Sequence, residues 1–373
     1  MKRFLGLFRG HDGRNHALAF ALVSSLFLLW GFCNGLLDIL NKHFQDTLHV
    51  SKTESALIQF SHYLGYFCMA IPSGLVARKF GYKGGILVGL AFIGVGAFGF
   101  IPATHVGTFG AFLASLFVVA IGLTFLETVA NPYATVLGPA DSGATRINLA
   151  QTCNAVGWIL GPYVGGLFIF SGGGEGGNGS LYVPYLFIGC VVVVLFVLFS
   201  FVRLPVIREG VEEGLSEADE AVPLGRRPHF LCAIAAQFAY VAAQTGIFSY
   251  FINYITSPDM PSFGNGLAGH LPSAWKVDDG DLHRFSNQGA SGLLAFGGFV
   301  LFLLGRLSGS FLLRVFRAHA LLAAFALANV ILMALILLHL GWISAAALFL
   351  SFFFMSIMYP TIFALGIHGL GGR

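Results

Sequence analysis

The chain is 373 residues long, 56% hydrophobic and only 10% charged, with a formal net charge of +3 and a mean hydropathy of +0.80. An ordinary soluble domain carries about 25% charged residues, and no water-facing exterior can be built over this much apolar surface. A soluble fold is excluded; lipid is the solvent that fits, and 39 Phe and 49 Gly suit helices that face lipid and pack closely on one another.

A helix needs about 20 apolar residues to cross a bilayer. In chain order the sequence predicts ten spans, at 17–41, 55–77, 84–103, 108–137, 147–170, 182–202, 229–255, 289–313, 319–340 and 342–368. Lys2, Arg3, Arg9 and Arg14 precede the first, as in a signal peptide. The run from Ala17 to Leu40 is too long for one and lacks an A-x-A site, so it reads as a retained span. Ser51-Lys52-Thr53-Glu54 is a capping-box pattern opening the second span, and Arg78-Lys79-Phe80-Gly81 closes it. Gly172–Gly177 forms a flexible connection between spans five and six, and Asn178-Gly179-Ser180 matches a glycosylation sequon by pattern only. A charged stretch at 203–228 and a Pro-, Gly- and Asp-rich one at 257–288 interrupt the series. The domains expected are a six-helix N-terminal bundle at 1–203, a cytoplasmic linker at 204–228 and a four-helix C-terminal bundle at 229–373.

Basic residues set orientation. With the N-terminus inside, only Lys42, Lys52, Lys276 and Arg284 of the 20 fall outside, which makes the N-terminus and the linker cytoplasmic. A repeat is also present. Gly74-Leu75-Val76-Ala77-Arg78-Lys79-Phe80-Gly81 answers Gly305-Arg306-Leu307-Ser308-Gly309, and Asn131-Pro132-Tyr133 answers Tyr359-Pro360-Thr361, both at an offset of roughly 230 residues. Two full copies need about 460 residues, so the sequence reads as a twelve-span design without its last two helices.

Two carboxylates stand out. Of the 17 acids only Asp38 and Glu127 lie well inside predicted spans, with no Lys or Arg mid-span beside them. A charged acid there costs roughly 2.5–3.5 kcal/mol. Desolvation penalises the charged form, so each could load and release a proton under physiological conditions; the plainer alternative is a permanently protonated acid in a structural hydrogen bond. Asn34 stands one turn from Asp38, with Gly31 and Gly35 on the same face of the helix, and Asn131 one turn from Glu127 beside the helix-bending Pro132. Span five adds Asn148, Gln151, Thr152 and Asn154, and span seven adds Gln237, Tyr240 and Gln244. Amides can simply glue helices; as a set over four spans they suit a pocket for a polyhydroxylated solute, with Trp30, Phe248, Tyr250 and Tyr359 available to stack on a sugar ring.

Other patterns carry no chemistry. Gly94-Val95-Gly96-Ala97-Phe98-Gly99 matches G-x-G-x-x-G inside an apolar span with no preceding strand, and reads as helix packing. No Walker loop, nucleophile–base pair or metal-ligand spacing is present, so an enzyme, a cofactor and a metal are not expected. Cys33, Cys68, Cys153, Cys190 and Cys232 read as small apolar packing residues.

Several segments together resemble one family. The paired loops at Gly74–Gly81 and Gly305–Gly309 are similar to the cytoplasmic loops of the major facilitator superfamily. Asn34…Asp38-Ile39-Leu40, Leu126–Pro132, Arg146–Thr152, Ala236–Thr245 and Met355–Phe363 resemble its fucose:proton symporter branch, the L-fucose, glucose and galactose permeases. Arg78 departs from the pattern, standing where the superfamily commonly has an Asp. The resemblance implies an all-α polytopic major facilitator fold of two pseudo-symmetric bundles around a cavity that opens alternately to each side. It implies proton-coupled uptake of a monosaccharide, fucose or a related hexose, across a bacterial-type inner membrane. Asp38 and Glu127 would handle the proton. Asn34, Asn131, Gln151, Asn154, Gln237, Tyr240, Gln244 and Tyr359 would bind the sugar. The partners expected are a small-molecule sugar, protons and the lipid bilayer, with no nucleic acid, for a monomeric carrier. The alternative from a different class is a non-transporting sugar-binding sensor or an inactive fragment.

Overall fold

The computed structural model describes Phe8 and residues 15–139, 143–170, 182–202, 204–205 and 227–367. The basic N-terminus, the Gly172–Gly177 run with its sequon, and most of the charged linker lie outside the described residues. The chain divides into two compact units, Met1–Ile207 and Arg208–Arg373.

The first unit begins with α1 (Ala17–Thr47) and a short α2 (Lys52–Ser55). At the start of α2 the capping box forms as expected: the Glu54 amide donates to Ser51 Oγ at 3.1 Å, and the Ser51 amide donates to Glu54 Oε2 at 2.8 Å. Next come α3 (Leu57–Val106), α4 (Phe109–Val136), α5 (Gly143–Ile169) and α6 (Tyr182–Phe201).

Nine helices among the described residues are long and apolar enough to cross a membrane, where the sequence predicts ten spans. The difference lies in one helical stretch, Lys52–Val106, whose 55 residues would extend about 80 Å if straight, against a hydrocarbon core of about 30 Å. It is not straight. Gly81 takes φ 72° and ψ 176°, a conformation that a side chain would strain. Both arms then pack on the same neighbour, in opposite directions. Ser61 Oγ donates to the Leu113 carbonyl and Ser73 Oγ to Thr128 Oγ1, so the first arm runs parallel to α4. Gly85 abuts Val129, Gly89 abuts Phe125 and Gly96 abuts Val119, so the second arm runs back along it. α3 is therefore a helical hairpin supplying two crossings.

Small residues let these helices approach backbone to backbone. A Cβ at Gly161 of α5 would stand 2.7 Å from both the Leu36 nitrogen and the Phe32 carbonyl oxygen of α1, and one at Gly35 would stand 2.9 Å from the Trp158 carbonyl. The G-x-G-x-x-G match is helix packing too, with Gly96 against the Val119 backbone and Gly99 against Ser115. Outward faces carry the apolar surface lipid must cover, such as Phe67 at 81% exposure and Phe201 at 84%.

The second unit holds α7 (Pro228–Ser249) and α8 (Phe251–Ile255), then the polar stretch predicted as a loop. That stretch is more ordered than expected. It contains α9 (Asn265–Ala268), a 3-10 turn at Ser273–Trp275, and an antiparallel hairpin of β1 (Lys276–Asp279) and β2 (Leu282–Phe285), paired Lys276 to Phe285. Gly280 turns the hairpin at φ 66°. Span eight follows as α10 (Asn287–Leu293), a π-helical turn at Leu294–Phe299 and α11 (Val300–Val315). In the π turn Gly297 and Gly298 seat Phe349 and Phe352. α12 (Ala318–Leu337) is span nine, and span ten is broken into α13 (Trp342–Met355) and α14 (Met358–Ile367).

Candidate functional site

The polar residues of each unit form their own arrangement. In the first unit Asp38 is 3% exposed on α1, and its Oδ1 accepts from Gln59 Nε2 at 3.2 Å across to α3. Asn34, one turn earlier, is also buried. Gly31 and Gly35, expected on that same face, instead serve the adjoining stripe of α1, against the Asn154 and Trp158 backbone of α5. One face of α1 thus makes a tight helix contact while the next presents an acid and an amide.

Glu127 is half-buried on α4. One turn on, Asn131 Nδ2 donates to the Glu127 backbone carbonyl at 2.9 Å, and Asn131 Oδ1 accepts from Gln151 Nε2 of α5 at 3.3 Å. This row of amides ties α4 to α5 beside Pro132, where the helix lacks a backbone donor. Arg146 is fully buried at the start of α5 and gathers the Ala134 and Pro139 carbonyls at 3.2 and 3.0 Å, closing the end of α4.

Tyr66 was not singled out from sequence, and it joins α3 to α1. Its hydroxyl accepts from Trp30 Nε1 at 2.8 Å, is hydrogen-bonded by the Asn34 side chain, and lies within the electrostatic reach of Glu127. Asn34 and Trp30 of α1 thereby meet on one phenol of α3. Gln59, the partner of Asp38, was likewise missed.

Asn154 sits differently from its neighbours. It is 3% exposed and donates one amide N–H to the Phe27 carbonyl at 3.2 Å, within the close contact of α1 and α5. The side chain of Asn148 lies outside the described residues.

In the second unit Tyr240 is buried, and its hydroxyl donates to the Met355 carbonyl at 2.8 Å. Arg306 Nε donates to the Ser356 carbonyl at a long 3.4 Å while its guanidinium lies 4.9 Å from the Phe302 ring centroid. These two carbonyls belong to the break in span ten. Pro360 has no N–H to return to Ser356, four residues back, and Arg306 supplies a donor instead. The repeat's proline landmark is thus a held break rather than a loose one.

Gln237 is half-buried, and neither polar atom of its amide has a hydrogen-bond partner among the described residues. Gln244 is half-buried two turns on. Tyr359 is 41% exposed, its ring centroid 6.3 Å from that of Tyr240. Of the aromatics considered for stacking on a sugar, Phe248 is enclosed: 3% exposed, stacked on Phe352 at 4.7 Å and edge-on to Phe299 at 5.0 Å. Among the described residues no group of three or more His, Cys, Asp or Glu is arranged to hold a metal.

Comparison with known proteins adds an independent finding. Residues 18–372 match the family described as Major Facilitator Superfamily. The chain is 34% identical over 385 residues to the L-fucose-proton symporter of Escherichia coli (strain K12), covering 96% of this chain and 82% of that protein. It is 31% identical over 365 residues to a glucose/galactose transporter of Brucella abortus biovar 1 (strain 9-941), again covering 96% and 82%. A crystal structure of the superfamily transporter FucP in the outward conformation superposes with a TM-score of 0.67 at 34% identity, over 96% of this chain and 86% of that one. These relatives are named as transporters, which does not favour the non-transporting sensor. The chain belongs to the major facilitator superfamily of membrane transporters, on the branch that holds the L-fucose and glucose/galactose permeases.

Proposed function

We propose that this chain imports a monosaccharide, fucose or a related hexose, together with a proton, by exposing its polar groups to the two sides of the membrane in turn. The observation that carries the reading is the placement of Asp38 and Glu127. They are acids well inside spans, each one turn from an amide, in a chain similar to a named proton symporter. An acid away from bulk water favours its neutral form, so taking up a proton lowers the cost of closing the site around a sugar. Asn34, Asn131 and Gln151 in the first unit, and Gln237, Tyr240, Gln244 and Tyr359 in the second, are the hydrogen-bonding and stacking groups assigned to the sugar. Asn154, one N–H of which holds the α1–α5 contact, is assigned to the sugar with them. The N-terminus is placed on the cytoplasmic side by the distribution of Lys and Arg. Inward movement of one proton charge then gains about 2.3 kcal/mol per 100 mV of membrane potential.

The test is uptake of labelled L-fucose, D-glucose and D-galactose by proteoliposomes with and without an imposed proton gradient. Gradient-driven accumulation of one sugar is expected, and Glu127→Gln should lose accumulation while retaining sugar exchange at equilibrium. Uptake indifferent to the gradient, or full accumulation by Glu127→Gln, defeats the coupling role.

A further inference from the structure

Two polar rungs cross from α1 to the run of α2 and α3. Asp38, Asn41 and Gln45 recur at helical spacing along α1. Ser55 ends α2 and Gln59 stands in the first turn of α3. Ala56 between them keeps φ −62° and ψ −20°, so the helical course continues and sets the two side chains one turn apart. On one rung Gln45 Nε2 donates to Ser55 Oγ at 2.8 Å and to Asn41 Oδ1 at 3.2 Å. On the other Gln59 Nε2 donates to Asp38 Oδ1 at 3.2 Å. Asp38, Asn41 and Ser55 are 3%, 1% and 0% exposed.

The rungs differ in one respect. The Gln45 rung has only neutral members, whose bonds do not depend on pH, and it ties the helices together. The Gln59 rung ends on an acid. An amide N–H donates more strongly to a carboxylate than to a carboxylic acid, and a glutamine also carries a carbonyl oxygen that can accept from the acid's O–H. Gln59 therefore suits both forms of Asp38 by changing which end of its amide it presents. Other titratable or charged groups stand on the elements packed around Asp38. On α1, Lys42 pairs with Asp46 at 2.7 Å, and His43 lies by Thr47 and Phe170. On α2, Glu54 is held in the capping box, two residues from Lys52. On α3, the His62 ring lies 5.5 and 5.1 Å from those of Tyr63 and Tyr66. Glu127 stands on α4 and Tyr163 on α5.

We propose that Gln59 is a positioning residue for Asp38: it holds that side chain against α3 whether charged or neutral, and by donating to the charged form it sets the pH at which the proton loads. This rests on the transport reading given above. The proton adds to an oxygen of the Asp38 carboxylate. The Gln59 amide then turns so that Oε1 accepts the new O–H, one hydrogen bond replacing another with no covalent bond broken. The neutral rung beside it keeps the helices at the spacing this exchange requires.

The experiment uses the full chain in lipid vesicles. Infrared difference spectra against Asp38→Asn, made in each background, isolate the Asp38 carboxyl, whose acid C=O band is followed against pH with no sugar present. A single titration is expected in the parent. In Gln59→Met, which keeps the length and removes the amide, the midpoint should move upward by about half a unit or more, because the charged form loses a donor. Gln59→Asn, one methylene short of the contact, should move it the same way and stands in if the Met variant does not fold. Ser55→Ala breaks the neutral rung and should lower Tm with the midpoint unchanged. A midpoint that stays put in the Gln59 variants, one that moves as far in Ser55→Ala, or an Asp38 band that does not titrate overturns the inference. An Asp38 that titrates as expected, in a chain with no proton-dependent uptake of labelled L-fucose, D-glucose or D-galactose, overturns the transport reading alone.

Discussion

Replacing Gly161 by Ala tests a close backbone approach in the first unit. The added methyl would lie 2.7 Å from two backbone atoms of α1 and 2.8 Å from a third, the Gly35 carbonyl carbon. Ordinary contact begins near 3.4 Å, so α1 and α5 must part by about 0.7 Å, and neither backbone can rotate out of the way as a side chain would. A gap of that size forfeits roughly a quarter to a half of the dispersion attraction along the contact. Overpacking of this kind costs about 1–3 kcal/mol. At about 2–4 °C per kcal/mol for a unit of this size, a fall of roughly 2–12 °C in Tm is expected. Thermal unfolding in detergent, followed by monodispersity on a sizing column, measures it. Gly74→Ala is the control: nothing lies within 4 Å of that Cβ, so the helix gains up to about 1 kcal/mol of propensity with no clash. If Gly161→Ala loses no more stability than Gly74→Ala, the close-packing argument for α1 and α5 fails.

Tyr240→Phe leaves the Met355 carbonyl without its donor, which should cost about 1–3 kcal/mol and raise amide exchange around Met358–Thr361; unchanged exchange there would show that the break is held by other means. Arg306→Lys keeps the charge but loses the flat guanidinium over Phe302, and a measurable fall in Tm is expected, against none if the residue serves only as a cytoplasmic charge. Ser51→Ala removes the cap of α2 and should destabilise the first unit by about 1 kcal/mol, read as a small Tm decrease with transport retained. Asp38→Asn keeps the shape of the Gln59 contact and should abolish gradient-driven accumulation more than stability; a large Tm loss with coupling intact would make Asp38 structural.

The helices were legible because crossing a bilayer demands long apolar runs, and a run such as 182–202 is found at Tyr182–Phe201 almost residue for residue. The turn between spans two and three was legible as Arg78-Lys79-Phe80-Gly81, though not its compactness: one glycine at positive φ reverses the chain with no loop. The β-hairpin at 276–285 was missed although its two-residue loop Gly280-Asp281 is a hairpin signal, because it lies in a stretch read by composition alone. The acids were visible because charge in an apolar span is costly whatever surrounds it. Tyr66 was not, since a tyrosine in an aromatic-rich span is unremarkable and its partner Trp30 lies 36 residues away. The packing contact of Asn154 was hidden for a related reason. Helical spacing groups it with Gln151, and only the approach of Gly31 reveals that it faces α1.

The π-helical turn at Leu294–Phe299 has a consequence for the angular phase of span eight. An extra residue inserted in a 3.6-residue helix rotates everything downstream by about 100° relative to everything upstream. Ala290 and Ser291 before the turn and Arg306 after it therefore do not share the face that simple counting assigns them. A helical wheel drawn through 287–309 mixes two faces into one, and pairing this span position by position with its repeat partner, the first arm of α3, slips by one residue midway. The same slack makes the segment a place where deleting a single residue could restore plain α-helix and swing the C-terminal half of the span, Arg306 included, around its axis.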